Sequence, residues 1–357
     1  MTESATARLR SRRTVAGVGV LVLLAVAVLA FVPGDVTSQL DNVVLEVGFL
    51  SATIQAAVPI ALAGVGGLYA EKSGVINIGI EGLLIVSAFT SVVATYFLTG
   101  TVGDRTAVWL GFVTAVVVSA LFALLFAVIC IDFKADQIIA GLAVWLLALG
   151  LAPFGSTVIF GQVNSAGVPV FQRIAVPVLS ELPVVGPTLF DAYPTTYIMF
   201  VVVPLAWYVL KRTPYGTWVE ASGEHPEALD TAGTDVRRTR YASVLVSGIL
   251  SGIGGAALTL SSAGRFIGTG ATMVDGRGFI AIVTYLMGNY NPIGTFLSAM
   301  LFAGMESFQI RLQQLGIDVP AALIGIIPHV SVIVVLVFFG YTRIPDRAGE
   351  HYESGDE

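Results

Sequence analysis

Nine stretches of 18 to 28 residues recur along this chain with one charged side chain, Glu81, among all of them. A bilayer core about 30 Å thick takes roughly 20 apolar residues at about 1.5 Å of rise each, and a helix satisfies every backbone polar group within its own segment. The stretches are Thr14–Val32, Val47–Ala70, Gly74–Leu98, Ala107–Ile131, Gln137–Phe160, Tyr193–Leu210, Tyr241–Ala263, Gly278–Met305 and Pro320–Tyr341. Only 12% of the residues are charged, about half the share of a soluble domain. The chain is therefore read as an all-α integral membrane protein.

Inside the eighth stretch, Asn289-Tyr290-Asn291-Pro292 joins turn formers to a proline, which splits it into two short spans and brings the expected total to about ten. Both termini then lie in the cytoplasm, and thirteen of the 18 lysines and arginines face inward, as the positive-inside rule requires. One tilted span in place of two gives twelve against six, so charge fixes the N-terminus and barely separates nine spans from ten. Arg8, Arg10, Arg12 and Arg13 precede the first stretch, whose apolar run exceeds the roughly 7–15 residues of a signal-peptide core, so it is read as an uncleaved span. The organisation is a cytoplasmic basic segment (1–13), a transmembrane domain (14–341) and an acidic cytoplasmic tail (342–357), read as solvated.

Small residues recur four apart in Gly248-x-x-x-Gly252, flanked by Ser247, Ser251 and Gly255; this spacing lets helix backbones approach in lipid and is read as packing within the chain. GVGGLYAEKSG (64–74) is echoed by GIGGAALTLSSAG (252–264), on spans expected to run in opposite directions. The echo points to an inverted repeat, a common plan in transporters.

The largest cytoplasmic loop, 211–240, holds a polar island, EASGEHPEALDTAG. Pro226 suits a first helical turn, Glu224 and Glu227 favour the positive end of that helix, and Gly233 supplies a left-handed stop. A helix of about two turns, roughly 10 Å long, is too short and too polar to cross a bilayer. It lies at the surface or against another protein.

Glu227-Ala228-Leu229-Asp230-Thr231-Ala232-Gly233 resembles the coupling-helix pattern of ABC importer permeases, Glu-Ala-Ala, three residues and Gly, departing from it at Leu229. TPYGTWVEASGEHPEALDTAG, GLYAEKSGVINIGIEG, GRGFIAIV and NPIG, in this order across 51–341 apart from the first, resemble the membrane subunit of nucleoside importers. That subunit belongs to a broader family whose members also move ribose and branched-chain amino acids, and this chain is similar to the shorter of two permeases that pair as a heterodimer. The resemblance implies inward transport in the cell membrane, a separate ATPase subunit docked on Glu224, His225, Pro226, Glu227, Ala228, Leu229, Asp230 and Gly233, and an extracellular lipid-anchored solute-binding protein. It implies no cofactor in this chain, ATP being bound by the partner, and no nucleic acid.

The residues agree that ATP is handled elsewhere. Gly66 to Ser73 approaches the phosphate-loop pattern G-x-x-x-x-G-K-[ST], but Glu71 replaces the second glycine, where a carboxylate repels phosphate. His225, His329 and His351 are far apart and Cys130 is the single cysteine, so neither metal-ligand spacing nor a disulfide within the chain is present. No catalytic constellation is found.

Polar groups inside spans usually face the bundle interior or a wet cavity. Gln55, Asn77, Glu81 and Glu306 are accordingly the candidate lining of a pathway for a neutral, hydroxyl-rich solute; the alternative role is interhelical hydrogen bonding at about 1 kcal/mol per bond. Two rival readings remain at this level. A secondary transporter driven by H⁺ or Na⁺ would use Glu81 as its ion site and leave the polar island unexplained. An ABC permease for a simple sugar or a branched-chain amino acid would share every feature above.

Overall fold

A computed structural model describes residues 47–314 and 343–353. The expected spans Thr14–Val32 and Pro320–Tyr341, with His329, lie outside the described residues. Eleven α-helices occupy the rest: α1 Val47–Lys72, α2 Ile80–Val102, α3 Asp104–Ala127, α4 Gln137–Phe160, α5 Val185–Leu189, α6 Pro194–Arg212, α7 Pro214–Glu224, α8 Pro226–Thr231, α9 Val236–Leu258, α10 Arg277–Met287 and α11 Pro292–Gln314. Single π turns, Val128–Asp132 and Thr259–Ala263, extend α3 and α9. Among the described residues seven of these helices are long and apolar enough to cross a membrane. The chain is a multi-pass membrane protein; the expected ten spans are not all within the described part.

Local chemistry sets most boundaries. Asp136 caps α4, its side chain accepting the Ile139 amide at 2.9 Å, and proline opens α6, α7 and α8, where its missing N–H leaves no bond unmade. Asn289 to Asn291 breaks the eighth stretch as expected, but unequally: α10 has 11 residues and α11 has 23, running past Met305 to Gln314. The second departure from expectation is at the start of α2. The stretch Gly74–Leu98 reads as one helix, whereas the helix begins six residues later at Ile80 and ends at Val102. Gly74, at φ +95°, Asn77 and Gly79 fall in the non-helical link 73–79, whose backbone no hydropathy average registers. The third is the segment 161–192, where Ile174–Ala175 (β1) pairs antiparallel with Asp191–Ala192 (β2), a small exception to an all-α chain.

At the centre, α1 and α9 run antiparallel: the Gly66 backbone meets Ser247 and the Gly254 backbone meets Pro59. Parallel to α9 lies α2, joined to it by Asn77 to Ser247, Ser87 to the Gly252 carbonyl and Ser91 to Thr259. On the other side α3 lies against Gly248 and Gly252, and Ser119 donates to the Gly248 carbonyl at 2.8 Å. The glycine and serine spacing on α9 thus serves packing within the chain. Both members of the sequence echo end a long central helix and lead into non-helical backbone, 73–79 after α1 and 264–276 after α9. The latter descends along 164–171, with Phe266 and Gly264 carbonyls accepting from Ser165 and Val168.

Candidate functional site

Two polar assemblies stand out, and one element, the link 73–79, joins them. The first is built on α7 and α8. The polar island folds as two helices with an elbow at His225, and Gly233 takes φ +83° after α8. Gly223 passes so close to the Lys72 carbonyl that a Cβ there would lie 2.2 Å from it; only a glycine lets α7 rest on the end of α1. Around that contact, Lys72 Nζ pairs with Glu220 at 2.9 Å and Ser222 Oγ donates to the Ser73 carbonyl at 2.8 Å. Burial alone would raise the Glu220 carboxyl, but the Lys72 ammonium outweighs it and holds that carboxyl below its ordinary value.

Of the residues expected on the coupling helix, His225, Glu227, Ala228 and Gly233 are exposed, Glu224 and Asp230 are half-buried, and Pro226 and Leu229 are buried. Leu229 therefore cannot be the outward apolar anchor that a protruding helix would suggest; it turns inward and holds α8 onto its own chain. The arginines after α8 are held by their own chain: Arg240 is buried and donates to the Glu350 carbonyl at 2.8 Å, and Arg237 forms a two-pronged pair with Asp132 at 2.7 and 2.8 Å. The acidic tail is not simply solvated either, since 343–353 lies on α7 and α8, with the Arg347 amide bonded to the Gly223 carbonyl at 2.9 Å.

The second assembly is where α2 and α10 begin. Glu81, in the first turn of α2, accepts the Gly276 amide at 2.8 Å and the Gly278 amide at 2.6 Å. One carboxylate thereby caps the positive end of α10, satisfying donors that a helix start buried in the bundle leaves open. Arg277, between those glycines, pairs with Glu306 of α11 and donates to the Met273 carbonyl at 2.8 Å. Asn77 donates to Ser247 Oγ at 3.1 Å while its own buried amide oxygen has no partner among the described residues. Glu81 and Glu306 are thus gathered around the start of α10, while Asn77 is held apart from them by Ser247 of α9. Gln55 is not among them: its amide reaches the Ser261 carbonyl at 3.1 Å, at the far end of α9.

Sequence reasoning passed over the residues that connect these assemblies. Glu71, next to Lys72, accepts the hydroxyls of Tyr285 and Tyr290 from the other end of α10, the latter at 2.5 Å. The α7 contact with Lys72 and the α10 contact with Glu71 are therefore adjacent on α1. The signal for this was present in the sequence: a Glu-Lys pair closing an otherwise uncharged run must find partners or stay in water.

A bundle of apolar helices with central helices broken at their ends, carrying a short polar helix pair on one end, is the build of a transporter's membrane subunit. The chain belongs to the family described as branched-chain amino acid transport system / permease component, whose pattern matches residues 49–339; it is a permease subunit of an ABC transporter and not itself catalytic. It is 36% identical to the guanosine ABC transporter permease protein NupQ of Bacillus subtilis, over 85% of this chain and 96% of that one. It is 35% identical to the nucleoside ABC transporter permease protein NupC of Lactococcus lactis, over 82% and 93%. The putative glucose ABC transporter permease protein TsgC13 of Haloferax volcanii is 34% identical over 78% and 83%. No solved structure matches the chain.

Proposed function

We propose that this chain is the permease of an ABC importer that moves nucleosides inward across the cell membrane, paired with a second, related permease and driven by a separate ATPase subunit that binds the ATP. The observation that carries the reading is the seat of α7 on the end of α1: Lys72–Glu220, Ser222–Ser73 and the Gly223 approach would pass a push on α8, through α7, to α1 and the link that joins it to α2. A carrier driven by an ion at Glu81 has no use for such a seat, and the Glu81 carboxylate is engaged in capping α10. The nucleoside assignment draws on NupQ and NupC; the glucose relative keeps a sugar as the second reading. Coupling falls to the exposed face of α8, His225, Glu227 and Ala228, with Glu224 and Asp230 at its edge. The pathway candidates are Asn77, Glu81 and Glu306; the buried amide oxygen of Asn77, without a partner among the described residues, would accept from a solute hydroxyl only once the bundle opens around it.

In this reading the α7–α8 end is cytoplasmic, with ten spans and an inverted repeat that relates the α1 and α9 breaks. A lipid-anchored binding protein approaches the opposite end, where a cavity of about 450 Å³ opens between Arg105, Trp109, Phe171 and Arg173. The test is ATP-dependent uptake of labelled guanosine by cells carrying this chain, its paired permease, the ATPase and the binding protein. Ala228→Arg, on the exposed face, should cut uptake at least about tenfold with normal membrane levels, since a small convex helix binds through few central side chains. Uptake that persists in that variant and collapses with the proton or sodium gradient overturns the ATP-driven reading. Excess glucose that competes better than adenosine assigns the sugar instead.

A further inference from the structure

The segment 343–353 makes more specific contacts with the coupling region than a passive tail requires. Its backbone bonds twice to the seat itself, Arg347 N to the Gly223 carbonyl at 2.9 Å and Gly349 N to the Gly74 carbonyl at 3.0 Å. Its side chains then reach α8: Tyr352 donates to Asp230 at 2.9 Å and Arg347 lies 3.6 Å from Glu227. Buried Arg240 of α9 holds the segment from beneath through the Glu350 carbonyl at 2.8 Å. A six-residue helix has little stability of its own in water, because the first turn fixes several residues for one hydrogen bond. The packing of Leu229 and the contacts with 343–353 are what α8 has instead.

From these contacts we infer that residues 343–353 are a clasp that fixes α8 in its docking position and forms, with α8, one composite surface for the ATPase subunit. The surface has an acidic balance: Glu227, Asp346, Glu350 and Glu353 are exposed on it against Arg343 and Arg347, with Arg347 paired to Glu227 and Glu350, Lys134 paired to Glu353, and Asp346 left facing outward. It fits a groove lined by basic side chains, because complementary charge sets orientation and speeds encounter. The clasp also touches the 73–74 turn, so the segment 343–353 is tied to the same link that α7 grips.

The inference rests on the ATP-driven reading, and its test separates the two. The double variant Tyr352→Phe/Arg347→Ala removes the side-chain contacts with α8 and keeps the backbone path; a chain ending at Ile344 removes the clasp. In the purified full chain, hydrogen exchange at 226–233 should quicken about threefold in the double variant and about tenfold or more in the truncation, as expected for the loss of one or several ordinary, part-exposed hydrogen bonds. Exchange within α1 and α9 should stay as in the wild type, which shows that the fold survives. Guanosine uptake should fall in the same order. Asp346→Lys should weaken co-elution with the ATPase without altering exchange. Unchanged exchange in both clasp variants overturns the clasp; faster exchange with undiminished uptake and co-elution overturns its role in docking. A wild-type system that shows no ATP dependence overturns the importer reading, and this inference with it.

Discussion

Helices α1 and α4 are nearly equal in length, 26 and 24 residues, yet α4, the more apolar, has 28% of its spanning window buried against 61% for α1. In water the order would be reversed. In a bilayer the apolar side chains of α4, Ile139, Leu146, Phe154 and Val158 among them, face outward, while α1 places its glycines against α9, α10 and α11 and its terminal Glu71 and Lys72 against α10 and α7. Lipid does not drive helices together by expelling apolar surface, so the interior goes to residues that permit close approach or hydrogen bonding. Of the two, the helix that bears the contacts with α7 is the more enclosed by protein.

The largest effect should come from breaking close approach on one helix and not the other. At Gly66 of α1 a Cβ would sit 2.9 Å from the Ser247 Cα, whereas at Gly150 of α4 nothing lies within 4 Å. Gly66→Val should destabilise the bundle by about 3 kcal/mol or more, since overpacking moves two backbones. Gly150→Val should change stability by less than about 0.5 kcal/mol. Thermal unfolding of the two variants in detergent measures the contrast; equal melting temperatures would mean that the α1–α9 contact is not tight.

The same contrast explains what was legible in the sequence. Outward-facing α4 was readable to the residue, Gln137–Phe160, because Asp136 and Gly161 punctuate an apolar run that faces one solvent throughout. The Asn289–Pro292 break and the Pro226 and Gly233 ends of α8 were readable for the same reason, local turn chemistry. The link 73–79 was not, since protein and not lipid surrounds it and its residues are apolar enough to pass for helix; Gly74, Asn77 and Gly79 in close succession were the available warning. Leu229, Arg240 and the clasp were hidden for another reason. Whether a polar loop faces water or its own chain depends on partners over 100 residues away, such as Glu350 for Arg240, and no periodicity encodes that.

A middle-sized effect belongs to Glu81, the charge that marks the interior side of the comparison. Glu81→Ala takes the acceptor from the buried Gly278 amide, at about 1–3 kcal/mol, and from the half-buried Gly276 amide, at less. Glu81→Gln keeps one acceptor oxygen and should lose about half as much, with guanosine uptake reduced but present. Uptake abolished by Gln in a protein of wild-type stability would assign the charge itself to transport and revive ion coupling at this site.

The smallest effect compares one contact at the end of α1 with one at the start of α4. Lys72–Glu220 and the Asp136 cap are both small in stability, about 0.5–1 kcal/mol for a half-exposed ion pair and about 1 kcal/mol for an N-cap. They differ in what they connect: Lys72 joins a central helix to α7, whereas Asp136 serves its own helix. Glu220→Gln and Asp136→Ala should therefore lower the melting temperature by similar small amounts, while only Glu220→Gln lowers uptake. The pH dependence follows from the direction of the Glu220 shift. Its carboxyl titrates lower in the fold than in the unfolded chain, so its contribution is complete above the ordinary carboxylate range and fades as pH falls through that range and below. The melting difference between wild type and Glu220→Gln should thus be present at neutral pH and vanish in acid, with the Asp136→Ala protein as the control for the other helix. A difference that grows in acid would mean that Glu220 is not held by Lys72, and equal uptake in both variants would detach α7 from the movement of α1.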